Sequence, residues 1–184
     1  MIEIEQRRST PILIEPAPND EEVKSLLRSA QLAPDHGRLK PWRFIVVKGS
    51  AREALGRLYL KSAISMDEGL SEQRQERIRK MPLRAPLIII AVTEVIQNHK
   101  VPVQEQVVAT GAAVQNMLLR AESLSYAAMW RTGEMAYSDT VKTGLGLRSE
   151  DVIVAYLYLG TAGLVPKPRP EIDFDACCVE WPGE

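Results

Sequence analysis

The sequence predicts a single α+β domain, a central mixed sheet flanked by helices. Three observations carry this. Helical and strand-like stretches alternate along the chain with short connections between them. One stretch, Leu87 to Val92, is apolar at every position, as in a strand covered on both faces. At 184 residues the chain suits one domain, burying on the order of 70% of its extended surface, and is too short for two comfortable ones.

The elements follow in order. Asn19 and Glu22 form a capping-box pair, and Val23, Leu26, Leu27 and Ala30 fall at helical spacing, so a helix runs from there toward Pro34. Phe44 to Val47 is a β-branched run that predicts a buried strand. Ser50 with Glu53 repeats the capping signal ahead of a helical stripe of Ala54, Leu55, Leu58 and Tyr59. Asp67 to Lys80 is rich in charge and poor in apolar residues before Ile78, which predicts a solvated helix or lid. Leu87 to Val92 is the central strand.

Val103 to Leu124 is the longest helical stretch, with hardly a charge between Glu105 and Arg120, and a helix apolar nearly all round needs cover on all sides. We expect part of that cover to come from a second copy of the chain. Tyr126 to Arg131 predicts another strand, running into the turn Thr132-Gly133. Ser138 caps a short helix ending around Gly144 and Gly146. Val152 to Leu159 is the last strand, closed by Gly160. From Thr161 to the end the chain is proline-studded and without periodicity, an extended C-terminal tail (161–184).

Composition excludes several classes. A net charge of -1 argues against a nucleic-acid binder, which would carry a basic stripe. No apolar run approaches the roughly 20 residues of a membrane helix. The acidic start Met1-Ile2-Glu3-Ile4-Glu5 is unlike a secretory signal, so a cytoplasmic protein is expected. Cys177 and Cys178 are adjacent and lack zinc-site spacing, which leaves free thiols and no metal. No phosphate-binding GxxxxGK[ST] loop, GxGxxG, GxSxG elbow or HExxH is present.

The chemistry-bearing residues gather elsewhere. Ala33-Pro34-Asp35-His36-Gly37-Arg38-Leu39-Lys40-Pro41-Trp42 places an acid, a histidine, two cations and a tryptophan in a loop stiffened by proline at both ends. Loops of this kind carry function, or are ordinary solvated connections; composition leaves both open. Arg7-Arg8-Ser9 near the start, Trp130-Arg131-Thr132-Gly133 at a strand end and Lys167-Pro168-Arg169 after the last strand complete the set. Each has a plain structural reading: a helix-end charge pair for Arg7 and Arg8, a hydrogen bond to Asp35 for His36, a core anchor for Trp130. His99-Lys100 reads as a solvated loop ahead of the long helix.

These four segments, in their order along the sequence and over essentially the whole chain, resemble the nitroreductase family, and the spelling of the Ala33 to Trp42 loop is similar to its short single-domain bacterial branch. The resemblance implies a nitroreductase-like fold assembled as an interlocked homodimer, with an FMN site at each interface. It implies that Arg7, Arg8 and Ser9 lie on the ribityl-phosphate and pyrimidine side and that Lys167 and Arg169 reach the phosphate. Trp130, Arg131 and Thr132 would lie along the ring, and His36 would arrive from the other subunit. Many members carry a further cation shortly after the serine, where this chain continues Thr10-Pro11-Ile12-Leu13; that contact is lost here or supplied by Arg38 or Lys40.

The implied activity is two-electron reduction of a small-molecule acceptor, a nitroaromatic or quinone, by NADH or NADPH, with no catalytic side chain required. Guanidiniums suit such a site because they stay charged and offer a planar fork of donors to phosphate and to a ring that gains charge. The alternatives are a flavin-binding storage or regulatory protein on the same fold, and a cofactor-free dimeric domain whose basic residues hold another phosphate.

Overall fold

A computed structural model describes residues 2–165, 173 and 175–183. Helix α1 (Ile2–Gln6) leads into a two-residue strand β1 (Leu13–Ile14) and helix α2 (Asp20–Ala30). Strand β2 (Trp42–Lys48), helices α3 (Ala51–Met66) and α4 (Glu72–Arg79) and strand β3 (Leu87–Thr93) follow. Helix α5 (Val103–Ser123), strand β4 (Ala127–Arg131), helix α6 (Asp139–Gly144) and strand β5 (Val152–Ala162) complete the chain.

The sheet runs β1-β5-β3-β2, with β4 on the other edge of β5. Its ladders are antiparallel; the parallel element is an isolated bridge from Ser9 to Ala128 of β4. Side-chain alternation along β3 divides the interior in two. Ile88, Ile90 and Val92 pack under α3, α4 and α6, while Leu87, Ile89 and Ala91 pack under α2 and α5. All seven residues of β3 are buried, which accounts for a run with no polar face.

Between Ala91 and Val92 the β3–β5 register shifts, leaving Val154 as the extra residue of a bulge. Ile153 and Tyr156, three apart, therefore both face the α3 side. The Val154 carbonyl accepts a hydrogen bond from the Trp130 indole at 3.0 Å.

The Asn19 capping box forms as expected: its side chain accepts from the N–H groups of Glu21 and Glu22, and Glu22 accepts from the Asn19 N–H. The Ser50 box does not, because Ser50 already lies in the helical region (φ -66, ψ -17) and its hydroxyl makes no cap bond. The stretch expected to be a solvated helix or lid is a helix exposed along most of its length, with Ile78 as its buried anchor. Ile78 of α4 is buried against the α3 side, and α3 and α4 approach so closely at Gly56 that an added Cβ would sit 2.1 Å from the Arg79 carbonyl oxygen. Strand β5 also continues past Gly160 to Ala162, where it pairs with β1, so the first two residues of the expected tail belong to the sheet.

Two buried polar groups tie the loop after β3. The Gln106 side chain donates to the carbonyls of Ile96 and Val101 and accepts from the Ile96 N–H at 2.9–3.1 Å. Asp151 accepts from the N–H groups of Val95 and Arg148 and pairs with the Arg148 guanidinium at 2.6 Å. Burial opposes the Asp151 charge, yet those donors outweigh it and hold the carboxyl below its usual range.

Candidate functional site

The bridge from Ser9 to Ala128, with the Thr10 N–H donating to the Ala128 carbonyl at 3.1 Å, lays the Arg7-Arg8-Ser9 segment along the start of β4. Strand β4 ends in Arg131-Thr132-Gly133. The two groups thus stand at opposite ends of a five-residue strand, roughly 13 Å apart by strand rise.

Arg8 is engaged locally: its guanidinium donates to the carbonyls of Glu5, Gln6 and Arg7, closing the C-terminal end of α1. The helix-end reading of this residue is realised, and Arg8 also lines a cavity of about 360 Å³ with Thr10 and Tyr126. Arg7 is half-buried and Ser9 exposed beside it.

At the other end, the alternation of β4 sends its side chains two ways. Trp130 faces α5, 3.7 Å from where a Cβ on Gly111 would lie, and its N–H is satisfied by Val154; it anchors the core. Arg131 faces the α3 side, its guanidinium 5.7 Å from the centre of the Tyr158 ring. Gly133 takes φ +89 with open space around its α-carbon, so backbone is exposed there to close approach by a ligand.

Two adjoining cavities flank this turn, of about 360 and 630 Å³, and Met81, Thr132, Gly133 and Met135 line both. Arg84, Arg131 and three tyrosines line the smaller. Burial pushes the Tyr59, Tyr156 and Tyr158 phenols up, with Arg131 and Arg84 opposing it at Tyr158. All three therefore keep their protons near neutrality. Tyr156 donates to the Met135 carbonyl at 3.0 Å, whereas the buried Tyr59 hydroxyl meets no partner. Sequence reasoning missed this group: Tyr59 was legible only as part of a helical stripe, although Tyr156 and Tyr158 share one face by their spacing of two.

The Pro34 to Trp42 loop lies elsewhere in the chain. His36 is exposed and its Nδ1 meets the Glu105 carboxylate on the first turn of α5; Asp35, the partner expected for it, instead accepts from the Lys40 N–H at 2.6 Å. Lys40 is exposed at φ 48 and lines a separate cavity, of about 580 Å³, with Glu94 and Arg148. Arg38, at φ 54, is also exposed. His36 and Lys40 thus do not join the Arg131 turn within one chain. Lys167 and Arg169 lie outside the described residues. His99 is exposed, its ring nitrogen accepting from the Val101 N–H.

The donor set fits a flavin mononucleotide. Cations and a hydroxyl stand at one end of β4; at the other an open glycine, an arginine and a partnerless buried phenol meet a cavity of ring-accepting size.

Comparison with known proteins gives one pattern. The model of the Nitroreductase family matches residues 4–161. An Escherichia coli (strain K12) protein provisionally named NAD(P)H nitroreductase YdjA is 38% identical over 175 residues, covering 91% of this chain and 94% of its own. A Haemophilus influenzae protein with the same provisional activity name is 30% identical over 84% of each chain. Among solved structures, a nitroreductase-like family protein from Bacillus cereus superposes with a TM-score of 0.84 at 23% identity, over 98% of this chain and 95% of that one. A Desulfovibrio desulfuricans protein provisionally named a nitroreductase, solved in complex with FMN, superposes with a TM-score of 0.73 at 24% identity, over 100% of this chain and 96% of that one.

Proposed function

The chain belongs to the nitroreductase family, and from that premise we propose that it is an FMN-dependent oxidoreductase that uses NADH or NADPH to reduce a nitroaromatic or quinone-like acceptor by two electrons. The observation that carries this reading is the placement of Arg7-Arg8-Ser9 and Arg131-Thr132-Gly133 at the two ends of β4. It suits a ligand with a phosphate at one end and a ring at the other. FMN, when bound, supplies hydride chemistry at its N5, accepting from nicotinamide C4 and delivering to the acceptor in turn.

The chain's own residues bind and orient. Arg7 and Ser9 hold the ribityl-phosphate and pyrimidine side, with Lys167 and Arg169 toward the phosphate and Arg8 fixing the approach through the end of α1. Arg131 and the backbone around Thr132 and Gly133 face the ring edge, where a guanidinium favours developing negative charge. Trp130 positions this turn from behind through Val154 and α5. No side chain is asked to transfer a proton.

The site is completed in a homodimer. His36 and Lys40, set apart from the Arg131 turn within one chain, reach the flavin of the second subunit. Val108 of α5, 69% exposed, enters the interface.

Purified protein should be yellow with stoichiometric FMN; NADH or NADPH should bleach the flavin absorbance anaerobically, and a nitroaromatic should restore it. Colourless protein that takes up no added FMN would sink the reading. Flavin that binds but is not reduced would leave a passive binder.

A further inference from the structure

The larger of the two cavities beside the Arg131 turn opens between α4 and the segment Thr132 to Met135. Arg74 and Arg77 project from α4 at its mouth. Arg84 and Arg131 line the adjoining smaller cavity, and the two share Met81, Thr132, Gly133 and Met135. Four guanidiniums therefore border one continuous depression, against the single carboxylate of Glu134.

Among the described residues, Arg43 is paired with Glu94, Arg79 with Glu76 and Arg148 with Asp151. Among the described residues, the side chains of Arg74, Arg77 and Arg84 have no hydrogen-bond or ion-pair partner, and Arg131 has only the Tyr158 ring. Arg74 and Arg77 are three apart on a helix, so both forks present to the same side. Clustered like charges repel one another, and a low-dielectric cleft lined by one sign of charge concentrates ions of the other. The space between them is apolar, lined by Ile78, Met81 and Met135, which suits a flat hydrocarbon ring. At the inner end the partnerless Tyr59 hydroxyl offers one further donor.

We propose that the electron acceptor of this site is an aromatic acid, its ring over the methionine-lined floor beside the Arg131 turn and its carboxylate held by Arg74 and Arg77. This deepens, and rests on, the oxidoreductase reading above. For a nitro acid the balance is closed by the reductant already named: the nitro compound, NAD(P)H and one proton give the nitroso compound, NAD(P)⁺ and water. Two electrons pass from the nicotinamide to the nitrogen, one N–O bond breaks and the oxygen leaves as water. The carboxylate takes no part in the chemistry and only fixes the pose.

The test compares 4-nitrobenzoate with its neutral methyl ester as acceptors for the FMN-loaded protein, with either reductant, in the wild type, in Arg74→Gln/Arg77→Gln and in Arg74→Lys/Arg77→Lys. Glutamine keeps the helix propensity of these exposed positions, so folding is preserved. The wild type should prefer the acid by about tenfold or more in kcat/KM. That preference should fall about tenfold in the glutamine variant, the scale of one charge-assisted hydrogen bond, and survive largely in the lysine variant. Benzoate titrated calorimetrically into loaded protein and apoprotein should bind the wild type and the lysine variant more tightly than the glutamine variant.

Equal use of acid and ester by the wild type overturns the proposal while leaving the oxidoreductase intact. So does a glutamine variant that loses NADPH affinity relative to NADH but keeps its preference for the acid, which would assign the guanidiniums to the phosphate of the reductant. Failure to bind FMN would refute the oxidoreductase reading instead, and the benzoate titration on apoprotein would then decide whether Arg74 and Arg77 hold an aromatic carboxylate.

Discussion

Replacing Gly56 by alanine sets two effects of opposite sign against each other. Within a helix, alanine is favoured over glycine by about 0.8–1.0 kcal/mol. The new methyl, however, would lie 2.1 Å from the Arg79 carbonyl oxygen and 3.1 Å from its carbon. That is roughly 1.3 Å inside the 3.4 Å at which ordinary contact begins. The obstacle is backbone at the end of α4, so no rotamer change relieves it, and α4 must shift relative to α3. Overpacking of this kind costs about 1–3 kcal/mol and sits at the upper end where backbone must move. The net expectation is a loss of about 1–2 kcal/mol, or about 2–8 °C in Tm for a domain of this size.

Thermal and urea unfolding of the purified variants measure the net effect, with an unchanged urea slope showing that the unfolded state is not the cause. Gly111→Ala is the counterpart: its Cβ would meet only the Trp130 ring, at an ordinary 3.7 Å, so the helix gain should appear nearly whole as added stability. A Gly56→Ala protein as stable as the parent would refute the claim that close backbone approach fixes α4 beside the site.

Three further outcomes are expected. Asp151→Asn should lose about 1.5–3 kcal/mol, since charge-assisted bonds from the Val95 and Arg148 N–H groups weaken. Because the folded Asp151 carboxyl titrates below its ordinary value near 3.9, its contribution is fully present above that pH and fades as pH falls through the folded value. Acid unfolding of the asparagine variant should therefore be less steep in that window, and an unchanged slope would remove Asp151 from the account. Arg7→Ala should weaken FMN binding by about 1.5–3 kcal/mol in a fluorescence titration, whereas unchanged affinity would confine Arg7 to the end of α1. Added FMN should raise Tm and shift dimer dissociation to lower protein concentration; a monomer that keeps stoichiometric flavin in the ultracentrifuge would withdraw the cross-subunit role of His36 and Lys40.

From α2 onward the sequence by itself determined the main elements, because their signals are local, whereas the short α1 and β1 were not read from it. The apolar run of β3, the Asn19 box and the long small-residue stretch of α5 each state their structure within a few residues. The order of the four cationic segments also placed the chain in its family without any tertiary information.

Only the tertiary structure decided which of those residues meet. The Ser9–Ala128 bridge joins positions far apart in the chain, and no local pattern marks one extended residue as the partner of another. The Val154 bulge is equally silent in sequence, yet it turns Tyr156 toward Tyr59 and places the carbonyl that holds Trp130. Ser50 carried a capping signal that the helical backbone at its own position overrode. The charge-rich α4 reads as solvated, and most of it is; what the sequence hides is its anchor, since an absent side chain at Gly56 lets the two backbones touch, and absence has no periodicity. That contact is what brings Arg74 and Arg77 to the mouth of the cavity beside Arg131.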